Sequence, residues 1–360
     1  MAVVSVPLDW SVFNLRHRQL LEAQADALRT LRPAGVGGSA WDGGRPAALE
    51  ATWHERRGRV LGAQLRRVAN DCGDPYLSLV AATALTGFRA AALLSSAVFG
   101  AVSADAAETS ALLHAFIRVM DGLYDERADA YVAYRPSLRN LLRRDAWVAG
   151  GRAGRSPRLG DPAGDLMLDL AHDWIERVEN APRFRAGGDV TKAFVAAAAR
   201  AWRAQDEPAR VPRLLRSAIG LWLTGTVVAC YAGPPVRATW SEYRRLITTF
   251  GVYAQWLDDA FDLGTDLDAG RENAVADALL GERSGAFGER PRRVSDALAG
   301  AALRGVVAER GRAHLERFVG VAKLAGAQDA VAELIASSVR ALDDPGRSGF
   351  SSAPAESSLR

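Results

Sequence analysis

Five aspartates fall within the stretch QWLDDAFDLGTDLDAGREN, from Gln255 to Asn273: Asp258, Asp259, Asp262, Asp266 and Asp268, with no lysine or arginine before Arg271. The preceding WSEYRRLITTFGVYAQWL reads as a helix. Helical residues four apart are offset by roughly 40°. Asp258, Asp262 and Asp266 therefore stack on one face, with Asp259 beside them. Like charges at this spacing repel by roughly 0.2–0.5 kcal/mol per pair on an exposed helix. Trp256, Leu257 and Phe261 point to a partly buried helix, where the repulsion is worse. Helical charge runs are commonly solvated faces; the lack of nearby cations and the apolar flanks argue against that here. A row of carboxylate oxygens is the donor set that hard cations such as Mg²⁺ prefer.

A second acidic run, Asp121-Gly-Leu-Tyr-Asp125-Glu126, lies within HAFIRVMDGLYDERAD, 137 residues upstream. Asp121 and Asp125 share a helical face, while Glu126 points elsewhere. Taken alone, this run reads as a solvated helix end. Together, two facing carboxylate rows would hold several Mg²⁺ ions, and those ions a diphosphate. The expected metal ligands are Asp121, Asp125, Asp258, Asp259, Asp262 and Asp266. A diphosphate also needs cations, for which the Arg fork is well suited. RPSLRNLLRR offers Arg135, Arg139, Arg143 and Arg144, and Arg271 follows the second run directly. Any one of them serves equally well in a surface salt bridge; Arg271 or Arg139 is the expected phosphate contact, with Arg135 beside Arg139. The five histidines are dispersed. They form no nucleophilic triad and no zinc spacing. His114 lies two turns before Asp121 on the same face.

The pattern Gly251-x-x-x-Gln255-x-x-Asp258-Asp259-x-x-Asp262-x-Gly264-x-Asp266-x-x-x-Gly270-Arg271 resembles the second Asp-rich motif of the all-helical class I isoprenoid synthases. The first run, DGLYDE, begins with a single Asp and is most similar to bacterial large-terpene synthases of the tetraprenyl-β-curcumene type. In those, Trp256, Leu257, Asp258, Asp262, Asp266, Gly270 and Asn273 have counterparts. The DxGxD-x-x-x-GR portion is equally similar to squalene/phytoene synthases. The chain has no Asn/Asp-x-x-Ser-x-x-x-Glu triad of the kind usual in plant, fungal and most bacterial cyclases. The resemblance is sharp over some forty residues. It implies a single large all-α bundle with a central apolar cavity, Mg²⁺ (three ions, with Mn²⁺ as a substitute), and a linear prenyl diphosphate substrate. It assigns catalysis to Asp121, Asp125, Asp258, Asp262 and Asp266. Arg139, Arg271, Arg135, Tyr253 and Gln255 are the expected substrate contacts. Tyr124, Tyr231, Phe250 and Tyr253 are candidate aromatic faces for a carbocation, each equally suited to core packing. Cyclisation of one substrate and coupling of two both remain open, as does a non-catalytic helical binding protein.

Positioning these residues requires long helices, and apolar residues recur at three- and four-residue spacing throughout. Helices are expected near 12–31, 48–70, 77–102, 106–127, 135–149, 164–180, 190–205, 210–231, 241–267, 274–280, 291–324 and 327–342. RPAGVGGSAWDGGRP reads as a loop and DDPGRSGFSSAPAESSLR as a disordered tail. The expected organisation is an N-terminal helix and arm over 1–50, a catalytic domain over 51–343, and a tail over 344–360. Gly220 and Gly225, inside one apolar helix, mark either tight packing or a kink that opens a pocket. Of 360 residues, 49% are hydrophobic and 24% charged, as in an ordinary globular protein. Cys72 and Cys230 form no disulfide framework, which points to a reducing cytoplasm. The N-terminus lacks signal-peptide character, and the apolar run 218–235 reads as too short to span a membrane. Charge is scattered and the net is only +3, so no nucleic-acid partner is implied. A homodimer is compatible with this composition.

Overall fold

In the computed structural model, residues 9–31, 55–56, 58, 60–62, 65–66, 74–99, 103–142, 147, 158–206, 211–236, 239–281 and 290–324 are described. Every regular element among them is helical. These are α1 (Trp10–Arg29), α2 (Asp74–Leu94, continuing into a π-helical turn at Ser95–Phe99), α3 (Ala104–Glu126), α4 (Ala128–Leu142), α5 (Pro162–Asn180), α6 (Asp189–Asp206), α7 (Arg213–Ala232), α8 (Trp240–Phe261), α9 (Leu263–Asp268), α10 (Ala274–Leu280), α11 (Arg290–Ala299) and α12 (Ala301–Leu324). A single turn, Pro182–Arg185, joins α5 to α6.

Local chemistry sets several starts. Asp9, Ser103 and Asp161 cap α1, α3 and α5, each accepting backbone N–H bonds from the first turn. Pro162 at the start of α5 loses no helical bond. Pro136 breaks this rule. The helix expected over 135–149 begins at Ala128, so Pro136 sits inside it rather than in its first turn. The long helix expected over 241–267 divides into α8 and α9 at Asp262, and the stretch 291–324, expected as one helix or a broken one, is broken at Gly300. The expected helix over 327–342 and the tail over 344–360 lie outside the described residues, as do most of 32–70.

The described helices fall into two compact units. One contains α1, α7 up to Ala218, α8 from Arg245, and α9 to α12. Here α1 lies against α11 and α12 and touches α9. The buried apolar face of α1 includes Phe13, Leu20, Leu21 and Leu28. The other unit contains α2 to α6, α7 from Ile219, and the start of α8. Its centre is α3, packed by α2, α4 and α5. Trp147, Trp174, Phe184 and Phe194 form an edge-on aromatic cluster there, with centroids 4.7–6.3 Å apart. Glu108 is buried in α3 and would resist ionising, but Arg56 and Arg177 hold its carboxyl below the usual range.

Helix α7 starts five residues before the run 218–235, at Arg213, and is 20 residues long. By length and composition it is long enough to cross a membrane, and 53% of its most apolar window is buried in the structure. Its two glycines differ. A Cβ on Gly225 would stand 1.0 Å from the Tyr243 hydroxyl oxygen, so Gly225 serves close packing. Nothing lies within 4 Å of the equivalent point on Gly220. Gly225→Ala should therefore destabilise by about 1–3 kcal/mol through overpacking, while Gly220→Ala should stabilise by about 0.4–1 kcal/mol. Urea unfolding of both variants checks this; shifts of the same sign would show that Tyr243 does not pack there.

Candidate functional site

The second acidic run occupies the end of α8, all of α9 and the turn that follows. At Asp262 the backbone leaves helical geometry (φ −87°, ψ 7°). The i→i+4 bonds nonetheless run through the break: Asp262 N–H donates to the Asp258 carbonyl and Asp266 N–H to the Asp262 carbonyl, both at 2.8 Å. The four-residue spacing of Asp258, Asp262 and Asp266 thus survives. Gly270, at φ +66°, ends α9 in a Schellman turn. Its N–H reaches the Leu267 carbonyl at 3.3 Å, and Arg271 N–H the Asp266 carbonyl at 2.7 Å. Gly251 explains another motif position: a Cβ there would come within 2.2 Å of the Ala218 backbone, so α7 and α8 meet closely beneath the acidic run.

The carboxylates are not equivalent. Asp259 is fully buried. Arg213, in the first turn of α7, grips it as a fork: Nε lies 2.9 Å from both carboxylate oxygens and Nη2 lies 2.8 Å from Oδ1. Gln255 Nε2 donates to Oδ1 at 2.8 Å and Ala274 N–H to Oδ2 at 2.6 Å. Arg213 Nη2 also reaches Asp266 Oδ2 at 3.2 Å. Burial opposes the guanidinium's charge, but Asp259 and Asp266 more than compensate and raise its pKa. Asn273 closes the network. Its Nδ2 donates to the Asp259 carbonyl at 2.7 Å and to Asp266 Oδ2 at 2.9 Å, while its Oδ1 caps α10. Asp259, expected as a metal ligand, is thus saturated by N–H donors. Gln255, expected at the substrate, orients the acidic pair, also approaching Asp258 Oδ2 at 3.3 Å.

Asp258 and Asp262 lack such compensation. Burial first, then repulsion from neighbouring aspartates, raises Asp258 to a pKa of about 7 and Asp262 to about 6. Asp262 takes no side-chain hydrogen bond from a described residue. Arg271 is exposed, and its charge lowers the pKa of Asp262 and Asp266 without an ion pair to either.

In the other unit, Asp121 and Asp125 lie in the last turns of α3. Asp121 is half-buried, and burial followed by repulsion from Asp125 raises its pKa to about 7. Arg118 and a long 3.4 Å contact from Gln205 Nε2 act the other way. Asp125 and Glu126 are exposed. Both acidic runs therefore sit at helix C-termini without a basic residue in the last turn. Negative charge there opposes the helix dipole by roughly 0.3–1 kcal/mol per group.

The remaining expected contacts separate. Arg135 is held by Asp206, with Nε 2.6 Å from Oδ1, whereas Arg139 is exposed with no ion pair among the described residues. Arg143 and Arg144 lie outside the described residues. Tyr253 is buried at 1% exposure, Phe250 stacks on Phe318, and Tyr231 donates to the Arg177 carbonyl and pairs with Thr109; Tyr124 is exposed beside Tyr131. His114 is neutral, its pKa pushed down to about 4 by burial, and it pairs with Thr224 at 2.9 Å. Sequence reasoning missed Arg213, which lies 46 residues before Asp259 in an apolar helix with no motif around it. Arg118 had a visible signal, three residues before Asp121 on the same helix.

Oxygen donors with unneutralised charge suit a hard divalent cation. Among the described residues, no three acidic, histidine or cysteine side chains already converge as a ligand set. No family model, curated protein or solved structure matches the chain.

Two predictions follow from the charge balance. Arg213→Met leaves Asp259 buried and unpaired and should cost about 3–5 kcal/mol, most of it recovered in Arg213→Met/Asp259→Leu; a double variant no more stable than the single would remove Arg213 from this role. The raised carboxyl pKa values give a defined pH dependence. Folded Asp258 and Asp262 hold protons that the unfolded chain, at about 3.8, has released. Their stabilising contribution is therefore lost as pH rises from about 4 to about 7. In chelator-treated protein, Asp258→Asn should raise the melting temperature at pH 8 by clearly more than at pH 5. Equal effects at both pH values would mean that Asp258 is not perturbed.

Proposed function

We propose that the chain is a Mg²⁺-dependent class I terpene synthase, which ionises a linear prenyl diphosphate and cyclises or deprotonates the resulting carbocation. The observation that carries this reading is the pair Asp258 and Asp262. The pair is fixed by a buried scaffold yet has no ion pair among the described residues, at a helix end whose dipole disfavours it. An acidic surface serving only solubility needs no such scaffold. Asp258, Asp262 and the Oδ1 side of Asp266 are the proposed ligands on this run, and Asp121 with Asp125 on the other.

Bound Mg²⁺ would neutralise charge on the departing diphosphate, so that the allylic C–O bond breaks heterolytically. The residues of the chain supply the rest. Arg213, Gln255 and Asn273 hold the carboxylates so that little reorganisation is needed when a ligand arrives. Exposed Arg271 and Arg139, without ion pairs among the described residues, are proposed to pair with phosphate oxygens. Asp259 takes a structural role as counter-ion to Arg213.

Incubation with Mg²⁺ and prenyl diphosphates from C10 to C35, followed by mass analysis, tests the proposal. Diphosphate release with a hydrocarbon of one substrate's carbon number is expected, and a product of doubled carbon number would favour the prenyl-coupling alternative. Asp262→Asn and Asp121→Asn should each lower turnover at least 100-fold with unchanged helical circular dichroism, whereas Glu272→Gln should retain it. Full turnover in excess chelator, or no turnover with any substrate, would overturn the assignment.

A further inference from the structure

Helix α8 stops at Phe261 and α9 starts at Leu263, with Asp262 between them outside helical geometry. The ladder bonds that end on Asp262 hold on either side. Those that would span it, from the Leu263 N–H to the Asp259 carbonyl and from the Gly264 N–H to the Ala260 carbonyl, are not made. Asp259 and Ala260 are both fully buried. A buried backbone carbonyl without a partner is costly and rare in native proteins, and a side chain entering the ladder is one of the few causes of a helix break. Two side chains enter it here. Asn273 Nδ2 lies 2.7 Å from the Asp259 carbonyl, and His17 Nε2 lies 2.6 Å from the Ala260 carbonyl.

Asn273 belongs to the acidic run, whereas His17 comes from α1, 243 residues before its acceptor. Its neighbours on α1 set it there. Arg16 donates from Nη1 to the Ser295 carbonyl at 2.8 Å and to the Ser295 hydroxyl at 3.2 Å, which ties α1 to α11. The Phe13 ring, one turn earlier, lies 5.9 Å from the imidazole. Phe13 also covers the first turn of α9, since a Cβ on Gly264 would stand 3.2 Å from its Cε1. Gly264, a position of the acidic motif, thus lets α1 approach. A carbonyl only accepts, so the imidazole donates from Nε2. Burial lowers the His17 pKa, so the ring is neutral at physiological pH and its one proton sits on that nitrogen.

We propose that His17 is a positioning residue for the acidic run: its Nε2–H, bonded to the Ala260 carbonyl, keeps the helix broken at Asp262 and so sets how α9 presents Asp266 to Asp258 and Asp262. Without this bond the Ala260 carbonyl is left to the Gly264 N–H, and α8 and α9 run together as one helix. Asp266 then shifts from the place where Arg213 and Asn273 hold it. That the positioned carboxylates take a metal rests on the function proposed above; the state of the helix does not.

The test compares the full chain with His17→Leu, which removes the donor, and His17→Gln, whose amide nitrogen can replace Nε2. Nitrogen-15 NMR of the histidine-labelled unmodified chain should show His17, identified by its absence in His17→Gln, as a neutral ring protonated on Nε2. Protonation on Nδ1 alone would overturn the proposal, whether or not either variant folds. Crystal structures read the break directly. In His17→Leu, Asp262 should take helical angles with the Gly264 N–H on the Ala260 carbonyl, and in His17→Gln it should keep its present angles; an unchanged break in His17→Leu also overturns the proposal. Calorimetric titration with Mn²⁺ and inorganic diphosphate reads the consequence. Affinity should fall by about tenfold or more in His17→Leu, as when a partner that orients a metal ligand is removed, and largely return in His17→Gln. Equal loss in both variants would mean that the donated bond does not position the site. An unmodified chain that binds no Mn²⁺ would sink the terpene synthase reading, while the proton and backbone readouts still decide the role of His17.

Discussion

The buried ion pair between Arg213 and Asp259 is the contact on which the acidic segment depends. A carboxylate with no solvent exposure and no cation would neutralise itself or disrupt its surroundings. Here the fork from α7, the Gln255 amide and the first N–H of α10 together satisfy it. Such a pair contributes little net stability, because two desolvation costs offset most of the attraction. Its value is geometric. Through Asp259, Arg213 joins the start of α7 to the end of α8, and through Asp266 and Asn273 to α9 and α10. Four helix ends are fixed by one guanidinium and one amide.

With that network in place, the charge left over is not spread evenly. Asp259 and Asp266 share the Arg213 guanidinium, whereas Asp258 takes only a long 3.3 Å bond from the Gln255 amide and Asp262 no side-chain hydrogen bond from a described residue. The protein thus separates the carboxylates that hold the segment from those that bear its unmet charge. The separation also accounts for the composition of the motif. Gly251 lets α7 approach, Gly270 permits the left-handed turn, and Asn273 both caps a helix and braces the acidic pair.

Much of this was legible in the sequence and some was not. Helical periodicity located nearly every described helix, and Ala274–Leu280 was read to the residue. The errors have local causes. Pro136 carries the signal of a first-turn proline but is tolerated inside α4, and the break at Asp262 preserves the hydrogen-bond spacing that sequence patterns detect. The acidic rows were visible because four-residue spacing is a sequence property. Arg213 was not, because an ion pair between segments 46 residues apart leaves no local trace. Nor could spacing separate Asp259 from Asp258, since adjacent residues differ only in which neighbours their faces meet.

Helix α1 has one consequence for how the protein is made. Its apolar face meets α11 and α12, Phe13 lies 3.2 Å from where a Cβ on Gly264 would stand, and His17 Nε2 is 2.6 Å from the Ala260 carbonyl. All of these partners lie at least 243 residues further along the chain. At roughly 5–20 residues per second, a ribosome needs tens of seconds to pass from α1 to α11. During that interval the apolar face of α1 lacks α11 and α12. Helix α1 therefore emerges long before the helices on which it docks. A nascent chain of this design depends on whatever shields an apolar helix in the meantime.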